Sequence, residues 1–414
     1  MKYFKNPELS KIHNVSDKAI RNWIEAARQG KSDLSIVEAN GRFFVADSLH
    51  NNLLIEELVQ KGKKYKNKRN HKDIKPSAEF YKTYSPGQVI DIASNLDKYR
   101  EIPSCYRYVG KSANLWDNHL HRLHQTGTSN MLTATIELLG LERGYFDALL
   151  KGHEYVNLID LGVGNGLAAK DILEYLHSTG KLNRYIGIDS SRELLDITEH
   201  NINSWFNSAI SVEKYCKDIT HERFTEIAQS NSLGENTTDN INIILFLGGT
   251  IGNFREPSQA LKTIRDSMGK DDVLITSYEF DSQNARSRFG TNNTESFSTI
   301  MQRNTFLMGQ LGFSEDCYDI EWTFDNSIKS YLVQARLKQE ITIVFDIGVF
   351  KKTLNFQRGD TIQLLRMRKW TDNELMDLYE KNGLSQLRTT KLRDQEFVLL
   401  VSQVNTETRH PVQP

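Results

Sequence analysis

The chain is poor in cysteine and proline and has no long apolar run, and each shortage removes a class of protein. Three cysteines in 414 residues, Cys105, Cys216 and Cys317, are too few and too far apart for a disulfide framework. With no CxxC pair they read as free buried thiols. The eleven histidines contain no HxxxH pair, so no metal site is expected. No apolar stretch approaches the roughly 18 residues that a membrane-spanning helix needs. The N-terminus, MKYFKNPELSKIHNV, lacks the apolar core of a signal peptide, which makes a cytoplasmic location the expectation. Charge of one sign is not in excess either: a formal net charge of -1 excludes a uniformly basic nucleic-acid coat. What remains, 38% hydrophobic and 25% charged residues, describes an ordinary globular protein of two or three domains.

The net charge conceals local asymmetry. The segment KGKKYKNKRNHKDIK, residues 61–75, carries eight Lys and Arg against Asp73 alone and has little to bury. It is expected to be an exposed basic linker. Before it, Asn6-Pro7 can open a helix, because proline at the first helical position gives up a donor that had no partner. Ile12, Val15, Ile20, Trp23 and Ile24 supply an apolar seam over two short helices, with Ser16 as N-cap of the second and Gly30 as its stop. LSIVEANGRFFVA then reads as two strands around Asn40-Gly41, a dipeptide suited to a type I′ turn. Helix, turn, helix and hairpin in residues 1–60 resemble an excisionase-like winged helix-turn-helix. Lys18, Arg21, Asn22 and Arg28 fall on its second helix, where they could meet DNA. The other use of such a module is a protein contact or a homodimer.

From residue 151 onward strands and helices alternate. YVNLIDLG, RYIGIDSS, ISVEKYCKDI, INIILFLGG and DDVLITSYEF read as strands, separated by amphipathic stretches such as AKDILEYLHSTG, RELLDITEHNINSWF and SQALKTIRDSM. The expected fold class is α/β, a Rossmann-like parallel sheet with helices on both faces. A long insert, 282–350, breaks the rhythm. The helix TDNELMDLYEKNGL and the strand EFVLLVSQV close the chain.

Asp160-Leu161-Gly162-Val163-Gly164-Asn165-Gly166 lies where the first of these strands gives way to a helix. Glycines there let the backbone turn tightly and approach a ligand without a Cβ in the way. A dinucleotide fingerprint needs GxGxxG, and position 167 is Leu. The acid before the first glycine instead suits the S-adenosylmethionine pattern (D/E)xGxGxG. Asp189, followed by Ser190, ends the second strand, where a carboxylate can accept from both ribose hydroxyls. Asp218, after the third apolar run, is placed to accept from the adenine amino group. S-adenosyl-L-methionine is therefore the expected cofactor.

The fourth strand runs into Phe246-Leu247-Gly248-Gly249-Thr250-Ile251-Gly252-Asn253-Phe254. This block, after the cofactor motifs, resembles the histidine-specific methyltransferases of the ergothioneine pathway. The resemblance implies a class I methyltransferase sheet, with Gly248 and Thr250 lining the cofactor and Asn253 holding the amino-acid end of a substrate. Cys105-Tyr106-Arg107-Tyr108-Val109-Gly110-Lys111-Ser112 is similar to the family's Tyr-Asp-x-x-Gly-Ser segment. Tyr106 then faces the substrate, and Arg107 replaces the aspartate. Leu365-Arg366-Met367-Arg368-Lys369-Trp370-Thr371 resembles the segment before the family's last helix. Lys170 is the candidate for the lysine that meets the cofactor carboxylate, although the glycine loop is longer here. The family's insert reads an imidazole with a glutamate and a serine, and Lys329-Ser330-Tyr331-Leu332-Val333-Gln334-Ala335 lacks that glutamate.

On this basis 76–150 and 282–350 are expected to form the substrate region, with aromatic residues such as Trp116 and Trp322 as its lid. Residues 151–281 hold the cofactor, 351–405 complete the sheet, and 406–414 form a tail. The expected activity is methylation of the amino group of a histidine-like amino acid or related amine. An amine must arrive neutral, and the amide oxygen of Asn253 and the hydroxyl of Tyr106 suit its orientation. The competing function is a DNA-binding regulator that senses S-adenosylmethionine or a metabolite. Methylation of nucleic-acid amino groups would require an Asn/Asp-Pro-Pro-Tyr/Phe motif where GGTIGNF stands.

Overall fold

The computed structural model describes residues 3–39, 41–69, 71–126, 130–229, 240–290, 302, 303, 305–392 and 395–405. Two compact units are present, Met1–Asp73 with Gln339–Thr342, and Ile74–Lys338 with Ile343–Pro414. The expected 406–414 tail lies outside the described residues. Among the described residues no helix is long and apolar enough to cross a membrane.

In the smaller unit, Pro7 opens helix Asn6–His13, and Glu8 accepts the Lys5 N–H at 2.8 Å. Ser16 caps helix Asp17–Arg28 by accepting the Ala19 N–H at 3.3 Å. Strands Ile36–Ala39 and Arg42–Ala46 pair antiparallel with Ala39 opposite Arg42, so residues 40 and 41 connect them. The expected type I′ turn includes Asn40, which lies outside the described residues. Leu9, Ile20, Ile24, Leu34, Val45 and Ile55 form the core. Buried Asn51 donates to the carbonyls of Ser35 and Ala46 and accepts the Ser35 N–H, tying both ends of the hairpin to the following helix.

That helix, Leu49–Arg69, corrects the linker expected at 61–75: the backbone stays helical to Arg69, and a strand, His71–Ile74, follows. Leu, Glu, Gln and Lys are all good helix formers. Ile55, buried in the core, anchors the first half, and extending a helix that already exists costs little.

The larger unit is organised by a seven-stranded sheet. Its order is Leu384–Leu392, Phe397–Val404, Val273–Glu279, Asn240–Phe246, Tyr155–Leu161, Leu182–Asp189 and Val212–Cys216. Phe397–Val404 runs antiparallel to both neighbours, and the five strands from Val273–Glu279 to Val212–Cys216 are mutually parallel. Alternate residues of each central strand serve opposite faces, and both faces are apolar. Ile159, Leu161, Ile186, Ile188, Ile244 and Phe246 pack with Leu261 and Ile264 of helix Pro257–Ser267 and Leu375 and Tyr379 of helix Asp372–Lys381. Val156, Leu158, Tyr185, Ile243 and Leu245 pack instead with helices Met131–Leu141, Lys170–Ser178 and Arg192–Trp205. Continuous apolar strands are what burial on both faces demands, and each buried Leu or Ile contributes about 1.5–3 kcal/mol.

A separate three-stranded sheet joins Tyr318–Asp325, Ser330–Leu337 and Thr361–Arg368, all antiparallel. It corrects the division at 350, because the insert continues through Arg368 and sheet completion starts with helix Asp372–Lys381. The strand Leu384–Leu392 went unforeseen. It is a polar edge strand, LSQLRTTKL, with Leu384 its one fully buried residue.

Candidate functional site

A cavity opens beyond the carboxyl ends of the parallel strands, where the order reverses on either side of Tyr155–Leu161. Helices leave opposite faces at such a point, so a crevice is left between them. Its floor is the glycine turn. Gly162, Gly164 and Gly166 have φ of 66°, 60° and 82°, a region closed to most side chains. A Cβ on Gly164 would stand 3.5 Å from Trp116 Nε1 and 3.6 Å from Leu120 Cδ1.

Two buried carboxylates border this turn. The Tyr185 hydroxyl donates to Asp160 Oδ2 at 2.9 Å, and burial pushes the Asp160 pKa up to about 6. Asp189 accepts the Ser191 N–H at 2.8 Å. Burial, opposed by that N–H and helped by the charge of Asp160, brings Asp189 up to about 7. Carboxylates held this high want hydroxyl or cationic donors from a ligand. Asp218 is half-buried and accepts from the Thr220 N–H at 2.9 Å and the Thr220 hydroxyl at 2.6 Å.

The GGTIGNF block forms the facing side. The Gly248 N–H donates to Ser277 Oγ at 2.9 Å, the Gly249 N–H to the Ser277 carbonyl at 3.0 Å, and Ser277 Oγ also meets Thr135 Oγ1 at 2.9 Å. Ser277, on strand Val273–Glu279, therefore fixes both glycines of the turn. A short 3-10 turn, Thr250–Asn253, follows. A Cβ on Gly252 would stand 2.8 Å from the Arg368 carbonyl, so a larger residue there would push the turn off its support. The remaining wall comes from the 3-10 turn Ser104–Tyr108 and helix Lys111–Gln125, where Tyr108 and Trp116 meet edge to face at 5.5 Å. Ser191 Oγ donates to the Tyr108 carbonyl at 2.6 Å and tethers this wall to the second strand end.

Of the residues singled out in the sequence, Asp160, Gly162, Gly164, Asp189, Ser190, Asp218, Gly248 and Thr250 all line this one cavity. Four others are not on its lining. Gly166 packs inward, where a Cβ would meet Thr198 Cγ2 at 3.2 Å. Lys170 holds its ammonium 5.1 Å from the Trp205 ring centroid. Tyr106 is buried, and its hydroxyl donates to Asp91 Oδ2 at 2.9 Å. Asn253 follows Thr250 by three residues and precedes Phe254, both of which line the cavity, and its amide makes no hydrogen bond with any described residue. Of the two tryptophans expected in a substrate lid, Trp116 lines the cavity and Trp322 does not. Tyr108, Thr135, Lys217 and Phe254 are lining residues that the sequence reading passed over, and Ser277 lies behind the wall. Only Phe254, adjacent to Asn253, carried a sequence signal. No group of His, Cys, Asp and Glu suited to a metal occurs among the described residues.

A glycine turn, an acid at the second strand end and a cavity at the switch point of a sheet in this order define a class I S-adenosylmethionine-dependent methyltransferase. The residues fit that cofactor: Asp189 presents a buried carboxylate to the cavity, and the glycine turn leaves room for close backbone approach. The model of the histidine-specific, S-adenosylmethionine-dependent methyltransferase family matches residues 133–404, and the chain belongs to that family. "N-methyltransferase fsqC" of Aspergillus fumigatus is 24% identical over 233 residues, 55% of this chain and 60% of that protein. The chain thus spans about 60% of that relative's length. Among solved structures, a S-adenosylmethionine-dependent methyltransferase from Clostridium acetobutylicum is 11% identical with a TM-score of 0.35, covering 71% of this chain and 98% of that one. The CcbJ methyltransferase from Streptomyces caelestis is likewise 11% identical with a TM-score of 0.35, covering 70% and 95%.

Proposed function

We propose that the protein methylates the amino group of a small amino acid, histidine-like, or of a related amine. The observation that carries this is Asn253, whose amide is uncommitted at the end of a turn that supplies Thr250 to the cofactor cavity. The relative named as an N-methyltransferase supports nitrogen as the acceptor.

S-adenosylmethionine supplies an electrophilic methyl group when bound. Asp189 would take its ribose hydroxyls, Asp218 its adenine amino group, and the backbone at Gly162 and Gly164 its amino-acid tail, with Asp160 beneath. Gly248 and Thr250 would close the opposite side. What this chain then contributes is orientation and exclusion of water, which together can account for about 7–11 kcal/mol of a barrier. Asn253 orients a neutral amine through its amide oxygen. Tyr106 acts at one remove, since its hydroxyl is spent on Asp91 and holds the wall turn Ser104–Tyr108 in place. No dedicated base is required, because an alkylammonium can lose its proton to water before it is enclosed.

Turnover on a panel of amino acids and amines tests the proposal. Asn253→Ala is expected to reduce turnover at least a hundredfold while S-adenosylhomocysteine affinity stays within threefold. Loss of cofactor binding with turnover per bound complex intact would contradict the role given to Asn253.

A second function is supported by the smaller unit. Lys5, Arg21, Arg28 and Arg42 border one concave surface between helix Asp17–Arg28 and the hairpin, together with Asn22 and Phe43, and Glu25 is the acid among them. That arrangement suits a winged helix-turn-helix bound to a phosphate backbone, with the methyltransferase unit as sensor. Duplex binding should then weaken steeply with salt, with a slope of about 0.9 per phosphate contact. Binding that ignores salt would argue for a protein partner or a homodimer instead.

A further inference from the structure

Two arginines are buried behind the cavity wall, neither on its lining and neither paired with an acid among the described residues. Arg107 is 2% exposed and Arg303 is 4% exposed. Nε and Nη2 of Arg107, and Nε and Nη1 of Arg303, have no hydrogen-bond partner among the described residues. Both guanidinium groups flank one ring: Arg107 lies 5.5 Å and Arg303 5.6 Å from the Tyr108 centroid, and Arg303 also lies 4.3 Å from the centroid of Trp116. Tyr108 and Trp116 are both cavity-wall residues.

Aromatic faces recover part of the cost of burying a cation without accepting its N–H groups, and beyond one Arg303 hydrogen bond to the Tyr108 side chain the N–H groups named above have no acceptor. Two like charges around one ring also repel. A fold that retains both is storing a cost that an anion would relieve. Arginine is the residue suited to this, because its planar fork matches a carboxylate with two parallel hydrogen bonds.

We propose that Arg107 and Arg303 form a carboxylate-binding site against the Tyr108 and Trp116 rings, and that it takes a carboxylate group of the substrate. This rests on the amine-methylation reading for the identity of the substrate, but the anion site itself does not. The site selects amines that bear a carboxylate over their decarboxylated counterparts. It is also formed in part by the insert, since Arg303 comes from outside the cofactor-binding strands and helices.

The test uses the full chain with Arg107→Met, Arg303→Met and the charge-retaining Arg107→Lys. For the best amino-acid substrate, each Met variant should raise KM at least tenfold, while its decarboxylated amine is used as well as before or better. Arg107→Lys should recover part of the loss. S-adenosylhomocysteine affinity should stay within threefold, and the unfolding temperature without ligand should hold or rise, because an unpaired buried cation has been removed. A lowered unfolding temperature with unchanged preference for the carboxylate would make the arginines structural and overturn the proposal. If S-adenosylhomocysteine affinity falls tenfold while that of 5′-methylthioadenosine, which has no amino-acid tail, is unchanged, the carboxylate held is the cofactor's and the assignment to substrate fails.

A binding arm separates this from failure of the methylation reading. With S-adenosylhomocysteine saturating, succinate should quench tryptophan fluorescence saturably in the wild type and not in either Met variant. Trp116→Phe should remove that signal. Quenching without turnover on any amine would leave the carboxylate site standing and sink the amine-methyltransferase assignment alone. Absence of quenching in the wild type, together with unchanged carboxylate preference in the variants, would sink the site.

Discussion

Replacing Asp189 with Asn keeps the shape of the second strand end and removes one buried charge. The folded carboxyl titrates at about 7, against 3.8 for the ordinary group, because it is buried and Asp160 stands nearby. A raised acid pKa means that the folded chain holds its proton more tightly than the unfolded chain. The native state is therefore favoured below pH 3.8 and loses that advantage as pH rises through about 7. The shift corresponds to about 4 kcal/mol. Asp189→Asn should thus be more stable than the wild type at pH 8 by a few kcal/mol without ligand, with the gap closing toward pH 4. Urea unfolding at the two pH values measures it. Cofactor binding should move the other way: losing a charged acceptor costs about 1.5–3 kcal/mol, a ten- to hundredfold loss of S-adenosylhomocysteine affinity. Wild-type affinity should itself fall as pH drops below about 7, while the variant's should change only at the lower pH where Asp160 titrates, about 6. A variant less stable at pH 8, or one that binds the product as tightly as the wild type, would refute the assignment of Asp189 as a stored cost released by ribose.

Gly164→Ala forces a Cβ into a left-handed backbone 3.5 Å from Trp116, and calorimetry should show at least tenfold weaker S-adenosylhomocysteine binding with the fold retained by circular dichroism. Ser277→Ala leaves the Gly248 N–H short of an acceptor, while the Thr135 hydroxyl keeps its bond to the Met131 carbonyl, costing about 1–3 kcal/mol of stability by urea titration and weakening cofactor binding in parallel.

The cofactor half of the site was legible because it is made of local signals. A glycine turn after an apolar strand, an acid at the next strand end and a glycine pair after the fourth strand are each adjacent to the element that positions them. Long-range chemistry was not legible. Ser277 fixes the Gly248 turn through a contact between residues 29 apart, and nothing in SYEF marks that serine. Tyr106 looked like the substrate tyrosine, yet Tyr108 lines the cavity and Tyr106 turns to Asp91. A 3-10 turn decides between them, and aromatic spacing does not encode its rotation. The basic segment after residue 60 was read by charge alone, whereas helix propensity and the anchoring of Ile55 govern its backbone. The edge strand Leu384–Leu392 has polar residues facing outward and so lacked the apolar run that exposed its neighbours.

The central claim is that the turn at Gly162 to Gly166, with Asp189 at the neighbouring strand end, binds S-adenosylmethionine. Isothermal titration of the full chain with S-adenosylmethionine and with S-adenosylhomocysteine tests it directly. One-to-one binding of both is the expected result, weakened at least tenfold in Gly164→Ala and in Asp189→Asn. Binding of neither, or binding indifferent to both substitutions, would contradict the account.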